Sequence, residues 1–162
     1  MNPINVSDNY FTERQHQFIL TYCENCKYTY GEVDNTDTPP TGLIHNIPYT
    51  EEIYRLIEDR IEKSMGPDVI KYRIYRMYVN CFAPRELAYF HTDGKHGDLT
   101  FLYYPNLEWN ENDLGETQFL IDGEIKGILP KPNRMLGFDA DLLHRATTFR
   151  DKHRFTIAIK YS

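Results

Sequence analysis

Hydrophobic and polar positions follow two different rhythms along this chain, and the change comes near residue 72. Before it, apolar residues recur at helical spacing. Thr12-Glu13-Arg14-Gln15 has the form of a capping box, and Phe18, Ile19 and Tyr22 follow on one expected face. Ile53, Leu56, Ile57 and Ile61 make a second stripe, which must pack on something. Thr50 stands at the expected N-cap of that second helix, and Gly66-Pro67 stops it. Between the helices, Gly31 to Gly42 is rich in Asp, Thr and Pro and is expected as an exposed loop.

From Tyr72 the period becomes two. Tyr72 to Phe82 reads as extended, and short strand-like segments follow near residues 87–92, 98–105, 116–121, 124–129, 134–138 and 153–161. Asp93-Gly94, Pro105-Asn106, Asp122-Gly123, Pro130 to Asn133 and Asp139-Ala140-Asp141 supply the turns. So many short strands imply a sandwich or barrel. The expected architecture is mainly β with N-terminal helices. It forms one domain over residues 1–162, with 1–71 as helical support and loop and 72–162 as the β core. Thirteen Tyr and nine Phe suit half-buried sheets, and 162 residues can bury a core without staples.

A net charge of −6 leaves no electrostatic footprint for gripping duplex nucleic acid, although Arg145, Arg150, Lys152 and Arg154 cluster near the C-terminus. The apolar runs are too short to span a membrane, and Met1 to Asp8 lacks the pattern of a signal peptide, so a cytoplasmic location is expected. No motif speaks to oligomeric state. Cys23-Glu24-Asn25-Cys26 has no second pair to complete a zinc site and no preceding strand, so it is read as incidental. Cys81 is expected as a small core residue, and Trp109 as a packing residue. His16 and His45 are expected at the surface or in caps, and His153 facing solvent.

Against this background one set of residues carries chemistry. His91-Thr92-Asp93 places an imidazole and a carboxylate two residues apart, on one face of an extended chain. His144, 51 residues after Asp93, can complete a face of three ligands. Two His and one carboxylate leave three open positions, the arrangement used by non-haem Fe(II) oxygenases. The bare motif is weak: a chain of this composition yields about 0.4 His-x-Asp matches by chance, and His96-Gly97-Asp98 is a second one. On spacing alone, a metal site and solvated loop residues both stay open. Arg154 shifts that balance. It opens the alternating segment Arg154 to Tyr161, sharing a face with Thr156 while Phe155, Ile157 and Ile159 take the other. An Arg on the inner face of a β domain is an expensive orphan charge unless a carboxylate pairs with it. A surface Arg or an internal ion pair is the plainer alternative.

In their order along the chain these pieces resemble the prolyl-hydroxylase-like branch of the 2-oxoglutarate/Fe(II) dioxygenases, over about Tyr72 to Ser162. Tyr78 to Phe82 leads to Tyr89-Phe90-His91-Thr92-Asp93. Leu99 to Asn106 is similar to the family's next strand, and Gly115-Glu116-Thr117-Gln118-Phe119 to its Gly-Gly-Glu-Thr-x-Phe segment. Met135 to Phe138 precedes His144-Arg145, and Arg154 to Tyr161 ends the pattern. Leu114 stands where the family has its first Gly, and Ala83 to Glu86 replaces a glycine-rich link.

The resemblance implies a double-stranded β-helix (jelly-roll, cupin-like). It implies Fe(II) held by His91, Asp93 and His144, and 2-oxoglutarate anchored through its C5 carboxylate by Arg154. It implies that Tyr104 donates its hydroxyl to the same carboxylate, that Tyr78 and Asn80 line the pocket, and that Thr156 adds a contact. O2 is the oxidant and ascorbate a candidate reductant. The implied reaction hydroxylates a C–H bond of a prolyl peptide or protein, or of a small-molecule substrate. Three other readings compete. A zinc hydrolase would use the same ligands but leave Arg154 without a reason. A silent cupin-like binding module would keep the fold alone. Oxidation of nucleic acid through the Arg145–Arg154 region conflicts with the acidic charge for a duplex substrate.

Overall fold

The period-two stretch folds into strands, and the two helical stripes into helices laid against them. A computed structural model describes residues 3–31 and 38–162. Residues 32–37 of the expected Gly31–Gly42 loop lie outside the described residues. The elements are β1 (Ile4–Ser7), α1 (Glu13–Asn25), β2 (Thr29–Tyr30), β3 (Leu43–Asn46), α2 (Glu52–Met65), β4 (Ile74–Phe82), β5 (Leu99–Tyr104), β6 (Thr117–Ile121), β7 (Glu124–Ile128), β8 (Arg134–Asp139), β9 (His144–Ala146) and β10 (Arg154–Tyr161). A large antiparallel sheet runs β1-β8-β5-β10-β4-β3-β2, and a smaller one runs β7-β6-β9. This is a double-stranded β-helix, with the two sheets as its walls.

β10 lies between β4 and β5, and its alternation decides both sides of the large sheet. Ile157, Ile159 and Tyr161 pack with Ile19, Cys23, Ile53, Ile57 and Ile61 of the helices. Burial of each isoleucine is worth about 1.5–3 kcal/mol. Arg154, Thr156 and Ala158 face the other way, into the space between the sheets. That space is closed by a second apolar cluster of Ile4, Tyr104, Phe119, Ile128, Leu136 and Phe138.

Several expectations needed correction. The N-terminal region is not only helix and loop: β1, β2 and β3 extend the large sheet at its two edges. These strands have two to four residues, too short for period two to stand out. α1 carries its expected capping box at Thr12, but its buried face is His16, Ile19, Leu20 and Cys23, with Phe18 exposed. His16 is therefore not a surface residue. It falls in step with Ile19 and Cys23, and its Nε2 lies 2.8 Å from the Pro105 carbonyl. His45 is half-buried, bonded to the Tyr22 hydroxyl and the Lys27 carbonyl. α2 starts after Glu51 rather than Thr50, without a side-chain cap. It ends at Gly66, whose φ of 64° lies in the left-handed region. Residues 87–92 form no strand; His91 alone makes a bridge, to His144. The three cysteines are free, and burial pushes the Cys26 thiol up to about 11, so the Cys23/Cys26 pair lacks the thiolate that redox chemistry needs.

The β1 edge is pinned by charge. Asp8 takes Arg134 Nε at 2.7 Å and Nη2 at 3.1 Å, with Lys131 Nζ at 3.0 Å. The Arg134 hydrogen bond, helped by Lys131, holds the Asp8 carboxyl at about 2, below its ordinary 3.8. A depressed carboxyl stabilises the fold above its unfolded value, and that gain is lost as pH falls through the folded one. Since a third of the Asp8 side chain is exposed, the contribution is about 1 kcal/mol. Asp8→Asn is thus expected to lower urea stability by that amount at pH 7. The gap between variant and wild type should close as pH falls from 3.8 to about 2. An unchanged gap at the acid end would mean the pair is not what holds this edge.

Candidate metal centre

His91 lies in the connector between β4 and β5, and His144 opens β9. The two residues exchange both backbone hydrogen bonds, His91 N–H to His144 O and the reverse, each 3.0 Å. That pairing sets their side chains on one face, with ring centroids 4.5 Å apart. Each ring is steered by the backbone two residues before it. His91 Nδ1 lies 2.9 Å from Tyr89 O and His144 Nδ1 2.8 Å from Leu142 O. A carbonyl can only accept, so each Nδ1 carries the proton and each Nε2 points at the shared space. Phe119 stacks on the His144 ring and Phe138 meets it edge-on, which leaves that ring little freedom.

Asp93 arrives two residues after His91, as the spacing required. Its N–H bonds Ala140 O at 2.8 Å, and Gly94 N–H takes the same carbonyl at 3.1 Å. A Cβ on Gly94 would fall 2.8 Å from Asp98 Oδ2 and 3.2 Å from the Ala140 Cβ, so a side chain here would have to displace the Asp98 carboxylate. Asp93 Oδ1 is 3.7 Å from His91 Nε2, and Oδ2 is 3.4 Å from His144 Nε2. Ligands about 2.1 Å from one ion and at right angles sit about 3 Å apart, so this donor set needs only a small contraction to close on a cation. The three side chains are 5–10% exposed. Burial alone would raise the Asp93 carboxyl. Hydrogen bonding and charge from His144, with the Lys160 ammonium, outweigh it and hold Asp93 well below the usual carboxylate range.

The cavity beside this set is about 450 Å3, part of it open to solvent, and Tyr78, Asn80, Thr117, Arg154 and Thr156 line it. Arg154 is 1% exposed. Its Nη2 donates to Thr117 Oγ1 at 2.9 Å, its Nε has no partner, and it forms no ion pair among the described residues. Burial works against the guanidinium, lowering its pKa from the ordinary value, yet an arginine keeps its charge inside proteins. Asn80 Oδ1 is a second buried polar atom without a partner in this cavity. The guanidinium calls for an anionic partner and the Asn80 oxygen for a hydrogen-bond donor, so the pocket suits a polar ligand that carries an anionic group. Tyr104 lies under the Arg154 guanidinium at 5.4 Å, with its hydroxyl 2.6 Å from Thr117 Oγ1. It thus reaches the cavity through Thr117.

His91, Asp93, His144, Arg154, Thr156, Tyr78 and Asn80 therefore line one cavity, with Tyr104 against it. The rival His96-Gly97-Asp98 does not: His96 is 86% exposed, beside Asp139 and Asp141 on the surface. The C-terminal basic cluster disperses. Arg145 bonds Gln118, Arg150 bonds the Asn112 carbonyl, Lys152 pairs with Asp113, and Arg154 turns inward. Two site residues went unassigned in the sequence. Thr117 lies inside the quoted Gly115–Phe119 segment, and its contact with Arg154 had no sequence signal. Lys160 had one: two more steps of the Arg154–Thr156 alternation put it on the inner side. Its Nζ lies 2.8 Å from Asp93 Oδ1.

The fold is similar to that of solved prolyl hydroxylases and other 2-oxoglutarate/Fe(II) oxygenases. A prolyl-4-hydroxylase from Pseudomonas putida superposes with a TM-score of 0.78 at 12% identity, over 98% of this chain and 91% of that one. A Trichoplax adhaerens prolyl hydroxylase, solved with a hypoxia-inducible-factor peptide, gives 0.78 at 18%, over 99% and 84%. HygX from Streptomyces hygroscopicus, solved with nickel and 2-oxoglutarate, gives 0.77 at 13%, over 99% and 82%. No protein-family model and no curated protein matches the sequence. No helix among the described residues is long and apolar enough to cross a membrane.

Proposed function

We propose that this protein is an Fe(II)- and 2-oxoglutarate-dependent dioxygenase that hydroxylates an unactivated C–H bond. The observation that carries the reading is the buried, unpaired Arg154 in the same cavity as His91, Asp93 and His144. A zinc hydrolase would have no use for it. 2-Oxoglutarate has a carboxylate at each end, so one can meet Arg154 while the keto-acid end reaches the metal ligands. When bound, the iron would supply activation of O2 and the oxidative decarboxylation of 2-oxoglutarate to succinate and CO2.

The chain's own residues do the rest. His91, Asp93 and His144 would hold the metal on one face and leave the cavity side open. Arg154 would orient the co-substrate through its C5 carboxylate, with Thr117 fixing the guanidinium. Thr117 can donate to the Tyr104 oxygen, which frees the Tyr104 proton for that carboxylate. Thr156 and Asn80 would offer further polar contacts. Tyr78, Phe82, Leu102 and Ala158 exclude water from the remaining wall.

For the substrate we favour a prolyl peptide. Leu87 and Tyr89 lie shortly before His91 in the chain and Leu143 just before His144, and these solvent-exposed side chains would offer apolar contacts to an extended chain. A small-molecule substrate is the second reading, because HygX, solved also with hygromycin B, superposes about as well. Ascorbate as reductant rests on the family resemblance alone. Anaerobic titration with Fe(II) and 2-oxoglutarate should give the weak visible charge-transfer band of a chelated keto acid, which zinc cannot produce. Succinate release with prolyl peptides against small amino acids then separates the two substrates. Iron binding without the band would sink the co-substrate assignment.

A further inference from the structure

Lys160 stands behind the metal ligands rather than in the cavity wall, and the dioxygenase reading gives it no task. It follows Ala158 on the inner side of β10, paired in register with Thr100 of β5 and Arg76 of β4. Its side chain is 11% exposed. Its ammonium sits 2.8 Å from Asp93 Oδ1 and 5.3 Å from the centre of the Tyr78 ring. Thr100, its neighbour in register, donates its hydroxyl to the other Asp93 oxygen at 2.8 Å. The carboxylate is thus clamped from both sides. Each oxygen still keeps a lone pair for an ion.

A buried lysine costs much unless it is paired, and here the partner is a residue the metal also needs. We infer that Lys160 is a positioning residue for Asp93 that sets how the site divides its affinity between metal and co-substrate. This rests on the dioxygenase reading above. The ammonium lies within contact distance of a metal ligand, so it repels a dication bound there and attracts a dianion that arrives next. Interactions of this kind between charges about 5 Å apart remain strong where water is excluded. Thr100 and the His91–His144 bridge hold the ligands without Lys160, so its removal takes away a charge more than a scaffold.

Removal should therefore have two effects of opposite sign. In Lys160→Met, Mn(II) or Fe(II) alone is expected to bind about tenfold more tightly. 2-Oxoglutarate is expected to bind the metal-loaded protein about tenfold more weakly. Lys160→Gln, which keeps a hydrogen-bond donor but not the charge, should behave likewise. It serves as the second variant if the methionine protein does not fold. The test is calorimetric titration of anaerobic protein with Mn(II), then with 2-oxoglutarate, for wild type and both variants. Opposite shifts support the inference. A merely structural lysine would weaken both equilibria, and that result, or no change in either, overturns it. Wild type that binds neither metal nor 2-oxoglutarate overturns instead the reading on which it rests.

Discussion

Replacing Arg154 with methionine is expected to weaken 2-oxoglutarate binding about a hundredfold or more, while metal affinity stays within about threefold. The reason is the geometry of the pocket. The guanidinium is the cation that can pair with the far carboxylate, and Thr117 and Tyr104 contribute only neutral hydroxyls. The same substitution should stabilise the ligand-free protein by about 1–3 kcal/mol. It removes a buried charge with an unsatisfied Nε and replaces it with an apolar chain of similar length. The Tyr104–Thr117 hydrogen bond survives the change, so neither hydroxyl is stranded. The two measurements are a spectroscopic 2-oxoglutarate titration and a denaturant midpoint without ligand. Intact binding in the variant would remove Arg154 from the site. A loss of stability would show that the arginine is already satisfied by something else.

Asp93→Ala should do the reverse and damage both properties. Metal affinity is expected to fall about a thousandfold or more, because the anionic ligand is lost and the Lys160 ammonium is left facing the ion. The ligand-free protein should lose about 3–5 kcal/mol, since one partner of a buried ion pair remains without the other. Asp93→Ala combined with Lys160→Met separates these effects. Stability should largely return in the double variant, whereas metal binding should not. Denaturant midpoints for all four proteins form the required cycle. Additive losses would mean the 2.8 Å contact is not an energetic pair.

What could be read in the sequence followed from length and period. β4, β5, β6, β7, β8 and β10 are five to nine residues long, so their alternation shows. β1, β2, β3 and β9 are shorter and take their conformation from the strands they join, which is a tertiary fact. The stretch 87–92 erred the other way: its aromatic residues look like strand, but the chain there meets β9 at one bridge only. His91, Asp93, His144 and Arg154 were legible because ligand chemistry demands particular residue types at particular spacings. Lys160 was hidden because a lysine in a strand is ordinarily a solvent-facing residue. The Arg154–Thr156 alternation carries it inward, but its pairing with Asp93 is a tertiary contact that no local pattern reports.

The connector from β4 to β5 has one further consequence. Residues 83–98 hold two of the three ligands, yet among the described residues they are tied to the rest by few backbone hydrogen bonds: Ala88 to Ala146, the His91–His144 bridge, and Asp93, Gly94 and Asp98 to Ala140. An ion gripped by His91, Asp93 and His144 would join this connector to β9 as a reversible cross-link between distant points of the chain. Unlike a disulfide, it would stabilise by binding the folded site and not the unfolded chain, where these three side chains are not assembled. Chelation would then loosen the connector first and leave the helix-backed sheet intact. Amide exchange in residues 83–98 would respond to metal before any global unfolding does.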